Sequence, residues 1–203
     1  MLFRSPAIEA AQELIDRTPE ELLLVPSPPM ADFLEGYLSM KQHVLVRFGK
    51  WQEIVDQDMP ENQELYAATS AMMRYAKSVA HSAMGNVEEA EKEKALFLEA
   101  KTKVPESRRV HNNRVYDLLD IAEQMLEGEL EYRRGNYDAA FAHLRKSVEL
   151  DDPTKTTIAT RHHQAQCVPE ASGPLTQHSN LGQNLDQRFF HLGPKAFPII
   201  QCR

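Results

Sequence analysis

Four histidines, His43, His81, His111 and His143, fall one to each of four stretches with helical periodicity. Imidazole is the commonest metal ligand, so four rings converging from stacked helices would make a metal centre. Taken singly, each reads as a groove-lining or partly buried residue with a local partner. A second set, Cys167, Cys202, His162 and His163, has the donor types of a two-Cys, two-His zinc site. Its cysteines are too far apart for a zinc knuckle, and neither their number nor their spacing suggests a disulfide framework. Carboxylates are abundant but lie on surface stripes, and no nucleophile–base pair stands out. A Gly-rich phosphate loop is absent. The residue types of catalysis are present without its spacings, so no catalytic residue, metal or cofactor is expected.

The elements that must position these side chains are better defined. Gly128-Glu129-Leu130-Glu131-Tyr132-Arg133-Arg134-Gly135-Asn136-Tyr137-Asp138-Ala139-Ala140-Phe141 reads as a helix, a tight turn and a second helix. Gly135 offers a left-handed conformation where the first helix stops. Asn136 tolerates a similar backbone, and Asp138 places a carboxylate at the positive end of the next helix. Ala140, Phe141, Leu144, Val148 and Leu150 then follow at helical spacing. Gly128 and Ala140 are the small residues that let two antiparallel helices approach. Gly85-Asn86-Val87-Glu88-Glu89-Ala90 repeats the pattern from Gly135 to Ala140, and Gly49-Lys50-Trp51-Gln52-Glu53-Ile54 is a looser copy.

On these residues the chain resembles a tetratricopeptide repeat protein, with units over about 35–60, 71–104 and 121–152. Gly128, Gly135, Tyr137 and Ala140 mark the third unit, Gly85 and Ala90 the second, Gly49 and Trp51 the first. A unit of this kind cannot bury its apolar face alone, so neighbours must stack. The resemblance implies an all-α fold of antiparallel helix hairpins stacked as a short α-solenoid, and a fragment of a longer array. It also implies a concave groove lined by the first helix of each hairpin, open to an extended peptide or a helix. That groove would present Ser39 and His43 from the first unit, Tyr75, Val79 and Ser82 from the second, and Met125, Glu129 and Tyr132 from the third. The family's carboxylate clamp uses Lys and Asn at such places; Ser39 and His43 do not match it. The lining suggests an apolar or basic peptide, and the same residues equally suit packing against further repeats. The expected function is a protein-interaction scaffold rather than an enzyme. The alternatives are a metal-binding or enzyme-associated helical domain using the histidines, and an incomplete fragment.

Along the chain, helices are expected over 4–25 with a break at Thr18-Pro19, over 30–48, from Trp51, over 61–84, over 87–100 and over 106–134. The last is unusually long, with Arg108, Arg109, His111 and Arg114 on a projecting face. Residues 1–29 form an N-terminal helical region ending in the linker Pro26-Ser27-Pro28-Pro29, and 30–152 hold the repeats. Residues 153–203 lose apolar periodicity and carry five of the twelve prolines. They read as a disordered tail, or as sequence foreign to the fold. No capping helix is evident after Asp152, and uncovered repeat ends would favour self-association.

Charge narrows the partners. Residues 1–152 are net −10 and residues 153–203 net +3, within a chain of −7. An acidic helical body disfavours nucleic acid, whose phosphates need clustered cations. No apolar run approaches the roughly 20 residues that span a bilayer. A protein or peptide partner, no membrane and a cytoplasmic location are expected.

Overall fold

The computed structural model describes residues 4–151. The tail 153–203, with Cys167, Cys202, His162 and His163, lies outside the described residues. The described chain is mostly helical: α1 Arg4–Asp16, α2 Glu20–Leu23, α3 Met30–Leu34, α4 Met40–Arg47, α5 Trp51–Val55, α6 Ala67–Ala83, α7 Val87–Thr102, α8 Val115–Arg133 and α9 Tyr137–Leu150. A 3-10 segment, Glu35–Ser39, joins α3 to α4. The only strands among the described residues, β1 Arg109–Val110 and β2 Asn113–Arg114, pair antiparallel across a two-residue turn.

One turn is used three times. Gly49, Gly85 and Gly135 have φ of 63°, 85° and 83°. Each donates its N–H to the carbonyl three residues back: Val46, Ser82 and Tyr132, at 3.0, 3.0 and 3.1 Å. The next residue donates to the carbonyl five back, Lys50 to Leu45, Asn86 to His81 and Asn136 to Glu131, each at 2.9 Å. This is the Schellman closure, and it satisfies carbonyls that the ending helix leaves open. Lys50, Asn86 and Asn136 then take nearly the same conformation, φ/ψ of −85/56°, −88/65° and −85/62°, and the next helix begins. A side chain at Gly85 or Gly135 would meet open space. The requirement for glycine is therefore conformational, not steric.

The turns fold α6 back along α7 and α8 along α9. In both pairs one polar contact crosses at the same height: Arg74 to Glu93 at 3.1 Å, and His143 Nδ1 to Gln124 at 3.0 Å. Between pairs, α6 packs on α8 and α7 on α8, while α4 and α5 pack on α6. The larger of two buried apolar clusters runs from Leu45 and Ile54 through Tyr75, Phe97 and Leu119 to Phe141 and Leu144, and the smaller holds Leu23, Ala31 and Leu38. The α7–α8 seam is also ionic. Lys94 meets Glu127 at 2.6 Å, Glu91 meets Arg134, and buried Lys101 meets Asp120 at 2.5 Å and Glu123 at 2.6 Å.

Three expected elements differ. The helix over 30–48 is broken into α3, the 3-10 segment and α4. The helix over 61–84 starts only at Ala67, where the carboxylate of Glu35 accepts the N–H groups of Ala68 (3.2 Å) and Thr69 (2.7 Å). The helix over 106–134 is shortened to α8, and the projecting cations do not project as a helix. Buried Arg108 is drawn inward by Asp32 (2.9 Å) and the Leu65 carbonyl (2.9 Å), and the ribbon follows. His111, at φ 53°, turns the ribbon. The linker Pro26-Ser27-Pro28-Pro29 is a tight reversal, with a cis Ser27-Pro28 bond and Pro26 bridged to Pro29.

Candidate functional site

The first helical segments of the three hairpins meet at one cleft. Glu35–Ser39 with α4, then α6, then α8 enclose an apolar cleft, and the β-ribbon closes one end. Gly36, Ser39, His43, Met72, Val110 and Leu119 are among its lining. The space inside is about 30 Å³, room for one water-sized group or the tip of one side chain. A cofactor or small-molecule substrate needs roughly ten times more.

Two groups in the cleft carry polarity. The Ser39 hydroxyl donates to the Gly36 carbonyl at 2.7 Å, so its proton is already committed. His43 is only partly exposed, and desolvation holds its pKa down at about 4. The imidazole is therefore neutral at physiological pH. A lowered pKa means the unfolded chain takes up the proton first, so this contribution to stability is lost as pH falls from the ordinary 6.5 towards 4. We expect urea midpoints to fall across that window by the equivalent of about 2 kcal/mol, and His43→Met to remove that acid sensitivity. A His43→Met profile parallel to wild type would refute the assignment.

A second polar group sits in the α6–α8 seam. Glu129 is fully buried. Its Oε1 accepts from Arg133 Nε at 2.8 Å and, more weakly, from the Ser82 hydroxyl at 3.4 Å. Its Oε2 is buried with no hydrogen bond. Burial raises the Glu129 pKa, and Arg133 and Ser82 offset this only in part. Burial and the nearby Glu129 charge also push the Tyr75 hydroxyl well up. A raised carboxylate pKa reverses the sign worked out for His43: the contribution is present at low pH and lost as pH rises through the folded pKa. Glu129→Gln is accordingly expected to raise stability at pH 7 by on the order of 1 kcal/mol and to flatten the pH profile on that side. Calorimetry at stepped pH would show it, and a loss at pH 7 would contradict it.

Six of the eight residues expected to line an open groove are buried: Ser39, Tyr75, Val79, Ser82, Met125 and Glu129. Only Ser39 among them lines the cleft, beside His43. The others pack the seam where α6 and α8 meet, with Tyr75 edge-on to Phe97 at 5.8 Å. Aromatic, Met and small residues on a first helix serve stacking as readily as partner contact, and here the neighbouring hairpin covers them. Tyr132 stays partly exposed and stacks edge-on with Tyr137 at 5.2 Å. Of the repeat positions, Ala90 and Ala140 are fully buried, and Gly128 lies against Leu144 and the Ala140 carbonyl.

The histidines do not converge. His43 lines the cleft, His81 ends α6, His111 lies on the ribbon against Tyr37, and His143 bonds Gln124. Among the described residues no group of three or more His, Cys, Asp or Glu is placed to hold a metal ion. No described helix is long and apolar enough to cross a membrane. No protein-family model, curated protein or solved structure matches the chain.

Glu35, Gly36 and Val110 escaped the sequence reading, which placed Arg108 on a projecting helix face rather than in the interior. Gly36 alone carried a local signal, a glycine inside an apolar helical run, which marks close backbone approach. Arg108 carried none, because its partner Asp32 is 76 residues away.

Proposed function

We propose that this chain is a protein-interaction scaffold, a short α-solenoid of tetratricopeptide-repeat type. It binds a partner polypeptide on the side formed by the first helices of its hairpins. The threefold recurrence of one glycine turn, at Gly49, Gly85 and Gly135, carries this reading. Identical turns give successive hairpins the same helix–turn–helix connection, and stacking of like units is how such arrays make an extended binding face. The cleft supports partner contact over small-molecule chemistry, since it admits a side-chain tip and no more. Its half-buried rim residues Met40 and Leu118 are the accessible apolar contacts.

The test is affinity capture with the tagged full chain and identification of bound polypeptides. Met40→Lys and Leu118→Lys should each abolish capture of the true partner without changing the thermal midpoint by more than a few degrees. Leu96→Lys, on the exposed surface of α7, should leave capture intact. A partner indifferent to both rim substitutions, or equally lost with Leu96→Lys, would place binding elsewhere.

A further inference from the structure

The β-ribbon is an inserted segment lying on the same face, and its contacts resemble those of a bound peptide. Val110 enters at Gly36: its Cγ2 is 2.6 Å from where a Gly36 Cβ would stand. Two residues earlier, Arg108 is buried, donating to Asp32 at 2.9 Å and to the Leu65 carbonyl at 2.9 Å, with Nε 3.5 Å from the fully buried Glu35 carboxylate. The His111 N–H donates to the Tyr37 hydroxyl at 3.1 Å. A charged anchor, an apolar anchor two residues on and a main-chain contact one residue later are what an extended peptide uses for recognition.

We propose that the Asp32–Glu35–Gly36 corner and the adjoining cleft are a recognition site for an extended segment with arginine two residues before a β-branched apolar residue. The chain's own Arg108-Arg109-Val110 occupies it as an internal competitor. Displacing the ribbon leaves the Glu35 carboxylate buried beside an empty slot, a costly state unless the incoming segment brings its own cation. A neutral peptide cannot make that exchange, and a lysine lacks the planar fork that reaches Asp32, Glu35 and Leu65 together. Tethering gives the ribbon a high effective concentration, so the intact chain masks the site and a partner must outcompete it.

The inference rests on the partner-binding reading above, but its test uses the chain's own segment, so the two fail separately. The probe is a synthetic peptide of residues 105–116. One host is the full chain with 106–113 replaced by a Gly-Ser linker. A milder host is the full chain with Val110→Ser, which loosens the ribbon's apolar anchor and leaves the Gly36 corner open to the probe. Both should bind the probe at least tenfold more tightly than the unaltered chain, and Arg108→Ala or Val110→Ser in the probe should weaken binding at least tenfold. Equal binding to altered and unaltered chains, no binding to a folded host, or indifference to both probe changes overturns the proposal. Hydrogen exchange of the unaltered full chain decides independently, even if the linker host does not fold. The Arg108 and Val115 amides, which bond to Pro105 and Arg108 carbonyls, should exchange at least a hundredfold faster than those of Ala76 and Leu126. Exchange of all four at one global rate would make the ribbon a fixed part of the core and end the proposal.

Discussion

Gly128→Val is expected to destabilise the protein by about 3 kcal/mol or more. A Cβ at Gly128 would stand 2.8 Å from Leu144 Cγ, 2.9 Å from its Cδ2 and 3.1 Å from the Ala140 carbonyl oxygen. The carbonyl is helix backbone and cannot yield locally. Leu144 is a buried core side chain with little freedom to rotate away. Gly128→Ala meets the same atoms with one carbon and regains roughly 1 kcal/mol of helix propensity, so its net loss is smaller. The second hairpin supplies an internal comparison. Ser78 stands seven residues before Gly85 as Gly128 does before Gly135, and its hydroxyl donates to the Ala90 carbonyl at 2.7 Å. A side chain fits there because the residue four beyond Ala90 is Lys94, which reaches out to Glu127, where the third hairpin has inward-packed Leu144. Leu144→Ala should therefore relieve part of the Gly128→Val loss. Urea denaturation of both single variants and the double variant gives the coupling; strict additivity would show that the helices can separate without cost.

What could be read from the chain alone was local. The glycine turns were legible because a left-handed residue, an Asn or Lys after it and a buried residue at the fifth place are all adjacent in sequence. The Gly128–Ala140 crossing was legible because both residues belong to one hairpin. The ribbon was not. Residues 106–114 are polar and lack an apolar stripe, so helix continuing back from α8 was the simplest expectation. What overrides it is the pull of Asp32 and Glu35 on Arg108, from the far end of the chain. The start of α6 at Ala67 has the same origin: Glu35 caps it from 33 residues away. The burial of most of the expected groove residues was hidden for another reason. Periodicity shows that Tyr75, Val79, Met125 and Glu129 share helix faces, but not which neighbouring helix covers each face. A buried carboxylate such as Glu129 is least legible of all, because its surface-like residue type contradicts its place.

Glu35→Ala should cost about 3 kcal/mol, the range for removing one partner of a buried ion pair. Two losses combine. Arg108, 6% exposed, keeps only Asp32 as a charged partner. The N–H groups of Ala68 and Thr69 lose the acceptor that stands in for an N-cap, since Tyr66 makes no side-chain cap bond to α6. Burial nevertheless raises the Glu35 pKa, outweighing Thr69, Arg108 and Ala68 together. The ionised carboxylate is thus an expensive group held by its partners, and removing both charges should be cheaper than removing one. Glu35→Gln keeps an acceptor for Thr69 at no charge, and paired with Arg108→Met it leaves no buried ion. We expect the double variant Glu35→Gln, Arg108→Met to recover at least about 1 kcal/mol relative to the sum of its single changes, measured by urea denaturation at pH 7. Additive losses would mean that the two charges do not sense each other, and that the ribbon is held in place by Val110 and the backbone alone.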